Sequence, residues 1–260
     1  MTSSGLAGLS IVILAAILMV LFAILHRRSP ISFRSIRAFT RIQRVARLVV
    51  EDGTRLHFSL GNGNVLTSAG ASALAGLVLL RRLGEITSLS DRPPVATTGS
   101  GLLNLLAQDT LHAAHDAVAV EQPFEINNGR LAGFTPLAYT AGVMPSIRDE
   151  RISSNVLIGN FGPEVGLLTE AAGRQNATVV AASDSLTAQA VLFVASSEPL
   201  IGEELFAGGA YVQADSFHSA SLLLQDVLRW LIIVALLVGS LLKLFNMFKL
   251  AGILKLAGLL

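Results

Sequence analysis

The chain has no cysteine, and it has no lysine before position 243. The missing cysteines exclude disulfides, thiolate metal sites and cysteine nucleophiles. The missing lysines exclude a phosphate-binding GKS/T loop, a kinase-type lysine and a Schiff-base lysine from the first 242 residues. Neither a G-x-S-x-G elbow nor an H-E-x-x-H motif occurs. Several common enzyme classes are therefore excluded.

Charge is distributed unevenly along the chain. Residues 26–47 contain seven arginines and no acid, whereas residues 48–222 contain eight arginines and seventeen aspartates and glutamates. The net charge of the second segment is −9. Because binding to nucleic acid requires a basic surface that neutralises phosphates, we expect no nucleic-acid partner.

The first apolar segment, residues 6–25, contains twenty residues without a charge or a proline. This length and composition predict a transmembrane helix, and residues 1–26 form an N-terminal anchor in this interpretation. The alternative is a cleaved signal peptide, but no basic segment precedes the apolar run and no small-residue cleavage site ends it. Since basic residues follow the span and none precedes it, we expect the rest of the chain on the cytoplasmic side.

The next segment, residues 27–47, has the pattern of a basic amphipathic helix. Apolar residues at 33, 36 and 39 occupy one face, and we expect the opposite face to contact lipid headgroups of the inner leaflet. The alternative is a solvated connector helix. The basic residues of this segment are Arg27, Arg28, Arg34, Arg37, Arg41, Arg44 and Arg47.

Residues 48–215 show strands that alternate with helices. Four units of a strand, a small-residue loop and a helix begin with strands at residues 57–60, 95–98, 155–159 and 178–182. This alternation predicts an α/β domain with a parallel sheet built from Rossmann-like units, and its two faces are covered by helices.

Other parts of this domain have less regular patterns. Asp52-Gly53 between two β-prone runs predicts a hairpin of residues 48–50 with 55–60, and Asn128-Gly129 predicts a second hairpin turn. The Thr135-Pro136 pair predicts a helix over residues 136–142 that Pro145 interrupts or kinks. We also expect a strand at residues 117–121 and a helix at 200–212.

The C-terminal region, residues 216–248, contains a second apolar run. Residues 230–242 are uncharged, and Arg229 and Lys243 can extend from its ends to the membrane interfaces. We therefore expect a second transmembrane helix. The tail, residues 249–260, continues a six-residue repeat that starts at Lys243; it is either a packing surface or a low-complexity apolar segment.

Small residues follow three of the predicted strands and form a candidate ligand site. The carboxyl ends of parallel strands lie at one edge of a sheet, where helix N-termini offer N–H groups to anions. The alternative is that these residues are structural turns. The residues are Gly61, Gly63, Gly99, Ser100, Gly101, Asn160 and Gly162.

His112, His115 and Asp116 form a candidate divalent-metal site on a predicted helix, with Asp109 nearby. Histidine nitrogens and carboxylate oxygens are common metal ligands. The alternative is a pair of histidines that is exposed or packs against a neighbouring helix.

Four phrases of the chain resemble a family of bacterial membrane proteins that is known as a domain of unknown function. They are RLHFSLGNG from Arg55, NVLIGNFGPE from Asn155, VVAASDSLTAQA from Val179 and IGEELFAGGAY from Ile201. The similarity covers about residues 50–212. It implies a bacterial membrane as the setting but supplies no activity and no functional residues. We expect the inner membrane, and we expect no cofactor.

We therefore expect a non-enzymatic scaffold or assembly subunit of a membrane complex, in contact with lipid and with copies of itself or other subunits. The alternative is a membrane-tethered sensor that binds a small anionic or nucleotide ligand at the glycine-rich strand ends. An enzyme is a third alternative, but convergent ionisable residues are missing from these strand ends.

Overall fold

The structure, a computed structural model, describes residues 3–28, 33–67, 70–118, 123–213 and 216–256. The chain forms two units, residues 32–215 and residues 1–31 with 216–260. The helices and strands, in chain order, are α1 (Ser3–Arg28), α2 (Arg37–Glu51), β1 (Arg55–Gly61), α3 (Gly70–Thr87), β2 (Val95–Thr98), α4 (Gly101–Ala117), β3 (Gly129–Leu131), α5 (Pro136–Asp149), β4 (Ile152–Asn160), α6 (Val165–Arg174), β5 (Thr178–Ser183), α7 (Leu186–Ala195), β6 (Glu198–Leu200), α8 (Gly208–Tyr211) and α9 (Ser216–Leu256).

The larger unit is an α/β domain around a six-stranded sheet. All described strand pairs are parallel, and the strand order is β3-β2-β1-β4-β5-β6. This order, 3-2-1-4-5-6, is the order of the doubly wound Rossmann fold. The predicted α/β class, the parallel sheet and its Rossmann-like units are confirmed.

Helices cover the two faces of the sheet, and each face has its own apolar core. Alternate residues of β1 point to opposite faces, so Phe58 joins the core under α2, α3 and α4. Leu157 of β4 joins the second core, under α5, α6 and α7. Because both faces are buried, the strands are largely apolar.

Helix α2 packs its apolar side on the sheet. Phe39, Ile42 and Val49 are buried in the first core. The spacing of these residues follows the helical period through Val49, which explains why the predicted hairpin of residues 48–50 with 55–60 is wrong: residues 48–50 are the last turn of α2. Gly53, with φ +60°, ends the helix, as is typical of a residue just beyond a helix C-terminus.

Two further predictions in the domain are corrected. Asn128-Gly129 is not a hairpin turn, because residues 126–128 form a 3-10 turn that leads into the parallel edge strand β3. Gly129 lies against α4, where Gln108 Nε2 donates to its carbonyl at 3.0 Å. The predicted helix at residues 200–212 is instead the end of β6, a 3-10 turn over Gly202–Ala207 and the short α8. Gly202, with φ +67°, breaks the helical pattern there.

The other boundaries differ less from the predictions. Helix α5 continues through Pro145 to Asp149, seven residues beyond the predicted end. Ala117 is the last residue of α4, and residues 119–121 of the predicted strand lie outside the described residues.

The smaller unit consists of α1 and α9, which pack against each other. Their apolar windows, Gly8–Leu25 and Ser216–Leu244, are long and apolar enough to cross a membrane. Most of their leucine, isoleucine and valine side chains are exposed, as is typical of helices that meet lipid. Two helices that fit a membrane are thus present, and the side of the membrane on which the domain lies stays a prediction.

Candidate functional site

A network of polar side chains lies inside the α/β domain, between the sheet and α5. His57 and Ser59 project from β1, the central strand, on the side opposite to Phe58. His57 Nδ1 lies 2.8 Å from Asn155 Oδ1 of β4, and its Nε2 lies 2.9 Å from Thr97 Oγ1 of β2. The imidazole thus links three neighbouring strands.

Tyr139 of α5 completes this interior network. Its hydroxyl lies 2.5 Å from Ser59 Oγ, and it donates to the backbone carbonyl of Thr97 at 3.2 Å. It also accepts from the N–H of Gly61 at 3.3 Å. One phenol therefore fixes α5 on two strands of the sheet.

The environment of the interior network keeps its histidine neutral. His57 is fully buried, and the loss of hydration lowers its pKa to about 4 from its ordinary 6.5. Burial likewise raises the pKa of Tyr139. Since Asn155 Oδ1 only accepts, Nδ1 of the neutral ring carries the proton and Nε2 accepts from Thr97.

Glu150, at the C-terminal end of α5, forms ion pairs with two arginines near the amino end of the strands. Its carboxylate accepts from Arg55 of β1 and from Arg130 of β3. Burial alone would raise the pKa of Glu150, but the hydrogen bonds from Arg130 and Arg55 outweigh burial and hold it below its usual value. The pairs connect α5 to β1 and β3.

The interior network has the residue types of a catalytic site but no access to substrate. His57, Ser59, Thr97, Tyr139 and Asn155 are each at most 2% exposed. A nucleophile and its base must reach a reacting group, and here Ser59 and His57 are both fully buried. The hydrogen bonds of the network therefore fix the register of the strands and the position of α5.

The predicted glycine-rich strand ends do lie together at the carboxyl edge of the sheet. Gly61, with φ +72°, lies beside Asn160, and a Cβ at Gly61 would be 2.2 Å from the Asn160 carbonyl oxygen. Gly99 N–H donates to the Gly61 carbonyl at 2.8 Å. The structure thus brings Gly61, Gly99 and Asn160 into contact, and the glycines allow this close backbone approach.

The other predicted strand-end residues lie along the same edge. Gly162 N–H donates to Glu164 Oε1 at 2.8 Å, so a carboxylate of the protein occupies the position that an anion would take at this turn. Asn160 Nδ2 donates to Asp184 Oδ1 at 2.8 Å. Gly63 is buried in the loop after β1, and Ser100 and Gly101 lead into α4.

The Rossmann strand order places the usual dinucleotide site at this edge, between β1 and β4. Two features of that site differ in this chain. The loop after β1 reads Gly61-Asn62-Gly63-Asn64-Val65-Leu66, with leucine in place of the third glycine of G-x-G-x-x-G. The loop after β2 begins with Gly99-Ser100, without the acidic residue that binds a ribose. The edge does not fit a dinucleotide.

The histidine pair packs against an aromatic ring. His112 stacks on Phe124 with centroids 4.8 Å apart, and the ring of His115 lies edge-on to it at 5.8 Å. His112 Nε2 and His115 Nδ1 each lie 3.6 Å from a different oxygen of Asp116. Within the part of the chain that the structure describes, no three His, Asp or Glu side chains are placed to hold a metal. This geometry gives the predicted metal site no support.

The predicted membrane-surface arginines follow the outer side of α2 and the residues before it. Arg34, Arg37, Arg44 and Arg47 are exposed, and Arg41 is half-buried. The side chains of Arg27 and Arg28 lie outside the described part of the chain. Because the sheet covers the apolar side of α2, only its arginine side is left for lipid, and this contact stays a prediction.

Comparison with known families decides the relationship of the chain. Residues 3–254 match a domain of unknown function, DUF6754. The chain belongs to this family. The match is wider than the resemblance over residues 50–212, since it includes both apolar helices and most of the lysine-bearing segment. DUF6754 thus comprises the α/β domain together with α1 and most of α9.

Other comparisons add no relative to the DUF6754 assignment. No curated protein matches the chain, and no solved structure matches it. Membership of DUF6754 is thus what these comparisons show for this chain.

The interior network was not predicted from the sequence. Its signal is present in β1, where His57 and Ser59 alternate with Leu56, Phe58 and Leu60. A central strand of a parallel sheet is buried on both faces and is normally apolar throughout, so alternating polar residues indicate buried hydrogen bonds. The partner residues on β2, β4 and α5 are distant in sequence and carry no comparable signal.

Proposed function

We propose that this protein is a membrane-anchored, non-enzymatic subunit that assembles a larger membrane complex from copies of itself or other subunits. The proposal rests on the observation that neither the interior network nor the carboxyl edge of the sheet presents free reactive groups, although an α/β domain would hold them at one of these two places. The interior network is at most 2% exposed. At the carboxyl edge, Glu164 and Asp184 already accept hydrogen bonds from the strand-end residues.

The two apolar helices support a role at the membrane. They begin and end the DUF6754 match, so a family member carries the α/β domain between two segments that fit a bilayer. The arginine excess after α1 supports a domain on the cytoplasmic side of the inner membrane of a bacterium, by the positive-inside rule.

Helix α9 also has a surface suited to association. Ala235 and Gly239 are four residues apart in its apolar window and form a small-xxx-small pattern. A Cβ at Gly239 would have no atom within 4 Å, so this small surface is open in the single chain. Such surfaces let the backbones of two membrane helices approach closely.

The test is the native mass of the full chain after gentle detergent extraction. We expect an oligomer or a complex with other membrane proteins. We expect the native mass of this assembly to be lower for Gly239→Leu than for the wild type. Val238→Leu, on the same turn, is the matched control because it changes volume without removing a small residue. A monomer in mild detergent, with the same mass for both variants, would contradict the proposal.

A second candidate function, the ligand sensor, is favoured by one observation: the strand order that places a binding crevice at the β1–β4 strand ends. Thermal unfolding with added nucleotides and inorganic phosphate tests it. Binding to the native state raises the melting temperature as ligand concentration increases. We expect no rise for the wild type. A ligand-dependent rise in melting temperature that is larger in Glu164→Gln than in the wild type would support the sensor function instead, because this variant lacks the competing carboxylate.

A further inference from the structure

Exposed apolar side chains mark the carboxyl edge of the sheet. Leu66, Phe134, Leu137 and Leu186 are 83%, 74%, 69% and 81% exposed, respectively. They lie in the loop after β1, in the loop after β3, at the start of α5 and at the start of α7. We call these four residues the apolar rim. From β3 to β5 the sheet is about 19 Å wide at the usual strand spacing, so the rim extends along most of the edge.

Hydrogen bonds in the turns hold the rim in this outward position. Leu66 N–H donates to Asn64 Oδ1 at 3.0 Å, and Thr67 Oγ1 donates to the Asn64 carbonyl at 2.8 Å. Next to Phe134, Thr135 Oγ1 accepts from the N–H of Ala138 at 3.3 Å and caps α5. The exposure of Leu66 and Phe134 therefore results from ordered turns.

The carboxyl edge also has few charges available for solvent. The first four residues of α3, α4, α5, α6 and α7 contain no charged side chain, although helix N-termini favour acids. Of the acids at this edge, Glu164, Asp184 and Glu204 bind groups of the domain, and Glu203 is exposed. At the opposite edge of the sheet, charged residues lie in the same loops as the exposed apolar residues. The charged residues there include Asp91, Arg92, Glu125, Glu150, Arg151 and Glu198.

Both chain connections of the domain also lie at the carboxyl edge. The 3-10 turn over Gly202–Ala207 directly follows the end of β6, and Arg34 Nη2 donates to Glu204 of this turn at 2.7 Å. Tyr211 donates to the Arg34 carbonyl at 2.6 Å, so the two ends of the domain meet there. In the sequence, residues 29–33 separate Arg34 from α1, and residues 212–215 separate Tyr211 from α9. These two tethers span at most about 18 Å and about 14 Å when fully extended, which limits how far the edge can lie from any membrane that α1 and α9 cross.

We infer that the apolar rim rests on the lipid bilayer, so that the carboxyl edge of the sheet is a membrane-contact surface. The inference rests on the membrane anchoring in the proposed function. Leucine and phenylalanine side chains enter the boundary of headgroups and acyl chains favourably, and the short tethers hold the rim at that boundary. Arg37, at the same junction, is exposed and suits anionic headgroups.

The chain offers a clean test because it has no cysteine. Single cysteines at Leu66, Phe134 and Leu186 of the full chain are labelled with a nitroxide, and each variant is reconstituted into vesicles of phosphatidylglycerol and phosphatidylethanolamine. Collision with lipid-soluble oxygen and with a water-soluble nickel chelate is then measured by electron paramagnetic resonance. Matched controls at the opposite edge are Leu89→Cys and Ile126→Cys, which are 59% and 63% exposed before substitution. A label at Leu237→Cys reports on α9 itself.

The measured quantity is the ratio of the collision rate with oxygen to the collision rate with the nickel chelate. We expect this ratio to be at least about threefold higher for the rim labels than for the controls at the opposite edge. Rim labels that match those controls would overturn the inference. Rim labels shielded from both reagents would also overturn it, since a protein surface would then cover the rim. A water-exposed label at Leu237→Cys would instead refute the membrane anchoring, so the two failures are distinguishable.

Discussion

Acidification to pH 5 should destabilise the α/β domain through His57. The ring is fully buried and its folded pKa is about 4, against 6.5 for the exposed side chain. The unfolded chain therefore binds a proton below pH 6.5, whereas the folded chain stays neutral until about pH 4. Stability from this group is complete above pH 6.5 and is lost as the pH falls towards 4.

The magnitude follows from these two pKa values. Between pH 7.5 and pH 5 the free energy of unfolding should fall by about 2 kcal/mol, and at pH 4 the loss should reach about 3 kcal/mol. Glu150, whose pKa is held low, loses its contribution only below its ordinary 4.5. The interval from pH 7.5 to pH 5 therefore isolates the histidine from this carboxylate.

Hydrogen–deuterium exchange of the full chain in detergent measures this change. The single tryptophan, Trp230, lies in α9, so its fluorescence does not report on the sheet. The slowest backbone amides of β1 and β4 should exchange about 30-fold faster at pH 5 than at pH 7.5, after correction for the intrinsic rate.

His57→Gln is the control for this pH dependence. Glutamine retains a donor and an acceptor but does not titrate, so the variant should be less stable at pH 7.5 and should show a flatter dependence on pH. An identical pH dependence in the wild type and the variant would refute the reasoning, because the lost stability would then come from other groups.

Three further predictions concern the stability of the α/β domain. Phe39→Ala should lower the free energy of unfolding by about 3–5 kcal/mol because the ring is 2% exposed. Leu48→Ala on the same helix, where the side chain is 43% exposed, should lower it by less than about 1 kcal/mol. Chemical unfolding of both variants measures the difference. Gly61→Ala should lower the melting temperature by several degrees, because its φ is +72° and the new Cβ would collide with the neighbouring strand; an unchanged melting temperature would contradict this. Glu150→Gln should lower the free energy of unfolding by about 1–3 kcal/mol, because two arginines lose their carboxylate partner. Hydrogen–deuterium exchange of the β3 amides should then become faster. Unchanged exchange would show that the ion pairs are dispensable.

The sequence alone was sufficient for most of the architecture. Strand β2 was predicted at its observed bounds, and β4 and β5 within three residues, because small-residue loops end these strands and helices follow them. The N-terminal apolar helix was also clear, because residues 6–25 form a run of twenty uncharged residues. The second apolar helix was predicted from a shorter uncharged run, residues 230–242, with Arg229 and Lys243 at its ends. The errors occurred where local signals conflicted, as in residues 48–50, where β-propensity competed with the helical period of α2.

The candidate site was only partly accessible from sequence. The strand-end glycines were located at the correct edge of the sheet, because βα loops in a parallel sheet share one edge. Their close contacts were not predictable, since the approach of Gly61 to Asn160 depends on the order in which β1 and β4 pair.

The sequence by itself determined the class of fold, the apolar ends and the exclusion of lysine- and cysteine-based chemistry, because these properties depend on residue type and local period. Only the tertiary structure decided which side chains meet. His57, Thr97, Tyr139 and Asn155 come from four elements, and the strand order 3-2-1-4-5-6 brings them together and closes them off from solvent. The same order places Leu66, Phe134 and Leu186 along one edge. Contacts between residues that are distant in sequence arise from strand pairing and packing, and no local pattern encodes them.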